Sequence, residues 1–295
     1  MMNKTPNFFR LLAGFAILIF SGCDKIEPPF TEINQATGLD TVTFEPVANP
    51  QKRILIEDFT GHLCGNCPSA ASIAHDLHDQ YGEKIVIMAL HVSDQFAAPL
   101  NDGTGEFTYD FRTEEGTAID NHFSCSNAGL PQGMVNRRTF QGSKVLDRFI
   151  WGSAVADIIN QAPQADIQIK SYLTQTDSLV AYVQCTFLED VSDEYTLGVF
   201  AVEDSIIDWQ KDYSLPPPKT IENYVHMHAL RDAFAGAFGE SLGSSGFKAN
   251  ETVKKGYALV KGNDWVGKNL RVIAYLYKTS SEEIIQVSES SVIQK

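Results

Sequence analysis

Residues 54–68 constrain this chain more than any other stretch. The run Ile54-Leu55-Ile56 passes through Glu57 and Asp58 and leads to Cys64-Gly65-Asn66-Cys67, and Pro68 then opens a pattern of helical period. A strand that runs into C-x-x-C at a helix N-terminus is the physical recipe for a redox-active dithiol. The helix end offers unpaired N–H groups and a partial positive charge, and both favour a thiolate.

The pattern on either side predicts an α/β domain over residues 51–162. Arg53–Phe59 reads as a strand and Pro68–Tyr81 as a helix, with Ala70, Ile73, Ala74 and Leu77 at helical spacing and Gly82 as the stop. Lys84–Val92 is a continuous apolar strand of the kind buried on both faces of a parallel sheet. Ser93–Asn127 is an insertion with a short helix expected near Gly116–Phe123; a strand over Gly133–Arg138 and a helix over Leu146–Gln161 follow. After Pro163 the period changes to two. Asp166–Leu173, Leu179–Leu188, Tyr195–Val202, Val253–Lys261, Leu270–Lys278 and Glu283–Val292 read as strands, which predicts an all-β, immunoglobulin-like sandwich over 163–295. Leu215–Gly246 interrupts it with Pro216-Pro217-Pro218 and Tyr224-Val-His-Met-His-Ala-Leu-Arg231, and is expected to be a long structured loop.

The N-terminus reads as an export signal over Met1–Gly22. Lys4 and Arg10 precede the apolar stretch Leu11–Phe20, and Ser21-Gly22-Cys23 looks like a bacterial lipobox, with Phe20 where Leu is usual. Cleavage before Cys23 would leave an acylated residue there and a polar spacer over 23–50, of which Thr41–Phe44 could add an edge strand. Loss of Lys4 and Arg10 takes the formal charge from −14 to −16. Phosphate binding needs a basic face, so nucleic acid is excluded as a partner, and acyl chains rather than charge must hold the protein to its membrane.

Five cysteines are present, Cys23, Cys64, Cys67, Cys125 and Cys185. In an oxidising compartment Cys64 and Cys67 are the obvious pair, while a Cys125–Cys185 link is not readable from sequence. A four-Cys zinc site would need a second spaced pair, so no metal is assigned. His75 and His78 share a helix face at i, i+3, read as solvated rather than metal-binding. His226 and His228 are read as interdomain hydrogen-bonding groups, with Arg231 available for an ion pair. His62 sits two residues before Cys64 and would stabilise a thiolate or meet a substrate if protonated; a polar loop residue is the equal alternative. Asn136-Arg137-Arg138 ends a strand near the dithiol, its positive charge either helping to hold a thiolate or an acidic substrate or simply solvated at the strand end.

Residues 53–138 resemble a thioredoxin-like domain. The combination FTGHLCGNCP, GLPQGMVNRR and YVHMHALR resembles the Omp28-related outer membrane lipoproteins of Bacteroidetes-type bacteria. The resemblance implies an outer membrane location through lipid on Cys23, facing periplasm or exterior. It implies Cys64 as the nucleophile, Cys67 as the resolving thiol, and Asp58 as the buried acid that handles the proton of Cys67. It further implies Pro131 as a cis-proline opposite the disulfide and Leu130 as backbone offered to a substrate. Leu63 replaces the Trp of thioredoxins, and Gly65-Asn66 is neither of their common dipeptides, so the redox poise stays open between roughly −270 and −120 mV. Two functions follow. One is thiol–disulfide exchange with exported proteins, needing no bound cofactor. The other is a binding or scaffold protein with a structural disulfide, whose β domain docks an envelope partner.

Overall fold

The chain enters as β1 (Asn34–Gln35) and, after an irregular stretch, forms β2 (Ile54–Thr60). The computed structural model describes residues 1–2 and 34–295, so Cys23 and the signal segment beyond Met2 lie outside the described residues. All of β2 is buried, and α1 (Cys67–Tyr81) follows with Cys67, Ala70, Ala74 and Leu77 turned inward. It ends at Gly82, whose φ of 61° suits glycine. β3 (Ile85–His91) pairs with β2 in parallel, Ile54 opposite Ile85 through Thr60 opposite His91. The insertion holds α2 (Asp94–Ala97) and α3 (Glu114–Phe123), the latter capped by Thr113 accepting from the Gly116 N–H. β4 (Gln132–Val135) lies antiparallel to β2, and α4 (Trp151–Ile158) packs Trp151, Val155 and Ile158 with α1 against Ile54 and Ile56. The strand expected to reach Arg138 stops earlier because Asn136 and Arg137 turn the chain at φ near 50°.

The remainder is nearly all strand: β5 (Ala165–Leu173), β6 (Ser178–Phe187), β7 (Val191–Glu203), β8 (Ile206–Lys211), β9 (Thr220–His226), β10 (Ala229–Ala233), β11 (Glu240–Phe247), β12 (Thr252–Val260), β13 (Leu270–Lys278), β14 (Ile284–Ser291) and β15 (Ile293–Gln294). One sheet runs β1-β12-β6-β5-β15, and it is β1, not Thr41–Phe44, that supplies the edge strand. The other runs β14-β13-β7-β10-β3-β2-β4, with β11 also on β7. The two sheets sandwich Ile167, Val183, Phe187, Val199, Val272 and Leu276 between them.

Two expectations change. Residues 215–246 are not a loop, since β9, β10 and most of β11 fall there, and β8 and β9 form a separate two-stranded ribbon. Nor does the sheet break near residue 163. β10 sits between β3, to which it is parallel at Ala229–Ala89, and β7, to which it is antiparallel, so both halves share one sheet and residues 34–295 belong to one compact unit. A single core follows: Leu55, Met88 and Phe59 from β2 and β3 lie in one cluster with Phe200, Ile273 and Tyr275 from β7 and β13.

A buried ion pair fastens the same junction. Arg137, 1% exposed, donates from Nε and Nη2 to the Glu57 carboxylate at 2.6–3.2 Å and from Nη2 to the Tyr275 hydroxyl at 2.7 Å. Burial opposes its charge, but Glu57 holds the guanidinium protonated. Arg137 is therefore neither solvated nor available to a thiolate, whereas Arg138, the other cation of that run, stays partly exposed beside Asp157 and Glu283.

Candidate functional site: the covered disulfide and its cleft

Cys64 and Cys67 are joined in a disulfide with Cα atoms 5.4 Å apart, and each is 2% exposed. The local sequence explains the link: the turn after β2 brings Cys64 over the first turn of α1, where Pro68 loses no helical bond. Two outside elements clamp the turn. On one side the Leu63 N–H donates to the Phe96 carbonyl at 2.9 Å. On the other, the β8–β9 ribbon lies across it. The N–H of Lys211 donates to the His62 carbonyl and that of Tyr213 to the Gly65 carbonyl, both at 2.8 Å. Gln210 Nε2 donates to the carbonyls of Gly61 (3.3 Å) and Cys64 (3.1 Å). The Tyr213 ring sits where a Cβ on Gly65 would fall, 2.3 Å from the nearest ring atom.

Beneath the pair opens a cleft of about 430 Å³, floored by Asp58, Ala89 and His91, walled by Cys67, Ala71 and His75 of α1, and faced by Tyr224 to His228. Asp58 is 3% exposed and its Oδ1 has no partner among the described residues. Burial pushes its carboxyl up to about 7. His91 is buried as well, its Nδ1 is unpartnered, and burial followed by the neighbouring His226 keeps it neutral. His226 donates from Nε2 to the Trp209 carbonyl at 3.3 Å, and burial lowers it to about 4. Burial and then the charge of Asp58 raise Tyr224 to about 12.

The structure places the residues singled out by sequence as follows. Asp58 and Cys67 line one cleft. The Leu130–Pro131 bond is cis, and Leu130 lies in the core cluster that holds both cysteines. His62 is fully buried, edge-on to Phe107 and Phe111, and donates to the Ala98 carbonyl at 3.2 Å. Burial lowers its pKa, so it offers neither positive charge nor a surface to a substrate in this state. Cys125 and Cys185 are free, buried in different cores, and held as thiols; burial pushes Cys185 up to about 12. His228 joins Asp204 (Nδ1 to Oδ1 3.2 Å) and Arg231 joins Glu203 (2.8 Å) and Asp264 (3.0 Å), so the YVHMHALR stretch anchors β10. Sequence reasoning missed Gln210, Tyr213 and His91. Gln210 and Tyr213 carry no motif, and His91 reads only as the polar end of an apolar strand.

Fold and site together define a β-rich protein with a covered disulfide on its long sheet. Residues 117–295 match the family described as Outer membrane protein Omp28. The chain belongs to the Omp28 family, whose place is the outer membrane; the cysteine pair lies before the matched span. Among solved structures, HBP35 of Porphyromonas gingivalis is similar at 18% identity and a TM-score of 0.54, over 83% of this chain and 77% of that one. That span is too large to be either half alone, so the architecture as a whole has a solved counterpart. A domain of the outer membrane lipoprotein Omp28 from the same organism aligns at 19% identity and a TM-score of 0.31 over 45% of this chain and 98% of that one. No curated protein matches. Among the described residues no helix is long and apolar enough to cross a membrane.

Proposed function

We propose that the chain is an envelope lipoprotein acylated on Cys23, in which residues 53–138 form a thioredoxin-like unit and the Cys64–Cys67 pair exchanges disulfides with exported proteins when the β8–β9 ribbon lifts. Asp58 carries this reading. A buried carboxyl without a partner, held near 7 in the cleft that Cys67 lines, is the base a resolving thiol needs. A purely structural disulfide has no use for it, and an unpaired buried acid costs stability.

In the reducing direction the Cys64 thiolate attacks a substrate disulfide. A new S–S bond joins Cys64 to one substrate sulfur, and the other leaves as a thiolate. Asp58 takes the proton of Cys67, whose thiolate attacks the Cys64 sulfur and releases the second substrate thiol. The pair ends oxidised and the substrate reduced; the reverse sequence oxidises a substrate. No bound cofactor enters either direction.

Insulin reduction with dithiothreitol as the electron donor, by wild type, Cys64→Ser and Cys67→Ala, tests the proposal. Wild type turns over, Cys64→Ser is inactive, and Cys67→Ala accumulates mixed disulfides with envelope proteins. A second reading, a binding or scaffold lipoprotein with a structural disulfide, is favoured by the 2% exposure of both cysteines. An inactive wild type that stays oxidised under strong reductant, with the ribbon loosened as well, selects it.

A further inference from the structure

The face of α1 at the rim of the cleft carries a cluster that the disulfide chemistry does not use. His75, His78 and Asp79 stand at i, i+3 and i+4, so one helix face presents all three. The two imidazole rings are nearly parallel, 9° apart with centroids at 6.3 Å. One ligand atom from each of the three residues lies within 4.8 Å of the other two. Among the described residues no hydrogen bond or ion pair engages these side chains.

We propose that His75, His78 and Asp79 form a binding site for a divalent transition cation of the zinc, copper or nickel class. Two imidazole nitrogens and one carboxylate oxygen suit such ions, whereas calcium and magnesium prefer oxygen alone. Bonds of about 2.0–2.2 Å to a tetrahedral ion put ligand atoms roughly 3.4 Å apart. Closing from 4.8 Å takes side-chain rotation only, and His75 and Asp79 are exposed and free to turn. His78 and Asp79 also fall in the last turn of α1, where the helix carries partial negative charge, and the chain as a whole has a net charge of −14. Three protein ligands leave a position for water or a ligand atom. His75 lines the cleft of Asp58 and Cys67, so the ion sits at its rim, with His228 on the facing wall. The site stands independently of the redox reading, because no cysteine is among its ligands.

The test is zinc chloride titration by calorimetry into the full mature protein in detergent. The Cys64–Cys67 pair is kept oxidised so that it cannot compete, and no histidine tag is present. One equivalent binds, and His75→Ala or His78→Ala each weakens binding at least tenfold, since even the supporting partners of metal ligands are worth about 10–100-fold. Asp79→Asn weakens it less. Copper EPR of the wild type shows nitrogen hyperfine coupling that either His variant reduces. His75 is exposed and His78 half-buried, and an unchanged circular dichroism spectrum separates lost binding from lost fold. No stoichiometric binding, or binding that survives His75→Ala/His78→Ala, overturns the proposal.

Discussion

Gln210 offers the sharpest test of whether the β8–β9 ribbon governs access to the disulfide. Its Nε2 faces the carbonyls of Gly61 (3.3 Å), Cys64 (3.1 Å) and Lys211 (2.9 Å), so two hydrogens serve three acceptors. Two of those acceptors belong to the turn that carries the cysteines. A net intramolecular hydrogen bond is worth about 0.5–1.5 kcal/mol, so Gln210→Ala removes about 1–2 kcal/mol of ribbon-to-turn attachment. The Lys211 and Tyr213 N–H bonds to His62 and Gly65 remain, and they keep the ribbon in register. A loss of that size raises the open population about 5–30-fold. If a thiol reductant reaches the pair only in the open form, and reclosing outpaces reduction, the rate rises by the same factor. The assay is reduction by excess dithiothreitol, quenched by alkylation and read by mass, beside a urea melt that measures the global change. A Gln210→Ala rate within twofold of wild type refutes the gate. So does a wild-type pair that reduces as fast as a small exposed disulfide.

Four further outcomes follow from the same geometry. Asp58 has its carboxyl raised from 3.8 to about 7, so folding takes up a proton across that window; stability contributed by this site is full below about pH 4 and lost as pH rises through 7. Asp58→Asn therefore stabilises the protein by up to about 4 kcal/mol at pH 8 and by little at pH 4, and urea midpoints that shift equally at both values contradict this. Glu57→Gln strands the Arg137 guanidinium, 1% exposed, and lowers stability by about 3–5 kcal/mol, whereas Glu57→Leu with Arg137→Met is near neutral or stabilising in the same melts. Gly65→Ala drives a methyl into the Tyr213 ring and costs about 1–3 kcal/mol by denaturant melt, and Tyr213→Ala in the same chain recovers most of it. Cys125, fully buried with its thiol pKa raised by burial and then by Glu57, resists iodoacetamide in the native protein and reacts once urea unfolds it, which peptide mapping reads directly.

Much of this architecture is legible in local pattern. The apolar run of β3, the helical spacing of α1 and the C-x-x-C between β2 and α1 announce a β-α-β unit, and the period-two stretches from 166 onward announce strands. The weld between them is not legible. β10 mixes buried Ala229 and Leu230 with Arg231 and Asp232, and its parallel partner on β3 lies some 140 residues upstream at Ala89, so no local period records the pairing. Residues 163–295 therefore read as a separate domain when they share a sheet with what precedes them.

Glu57 and Asp58 show where local reading stops. Adjacent positions on a strand face opposite ways, and that much follows from the chain alone. Glu57 meets a guanidinium brought back by the turn at Arg137, which makes it a fastener between the two halves of the sheet. Asp58 meets no cation of this kind, because no lysine or arginine lines the cleft on the α1 side of β2. Two like acids one residue apart thus acquire opposite surroundings, Glu57 through a partner 80 residues distant and Asp58 through the lack of one. One is bound by a guanidinium, and the other, with no such partner, has its carboxyl pushed up to about 7 by burial. On the exchange reading proposed above, that difference of environment, and not the cysteine motif alone, is what would let the dithiol pass a proton.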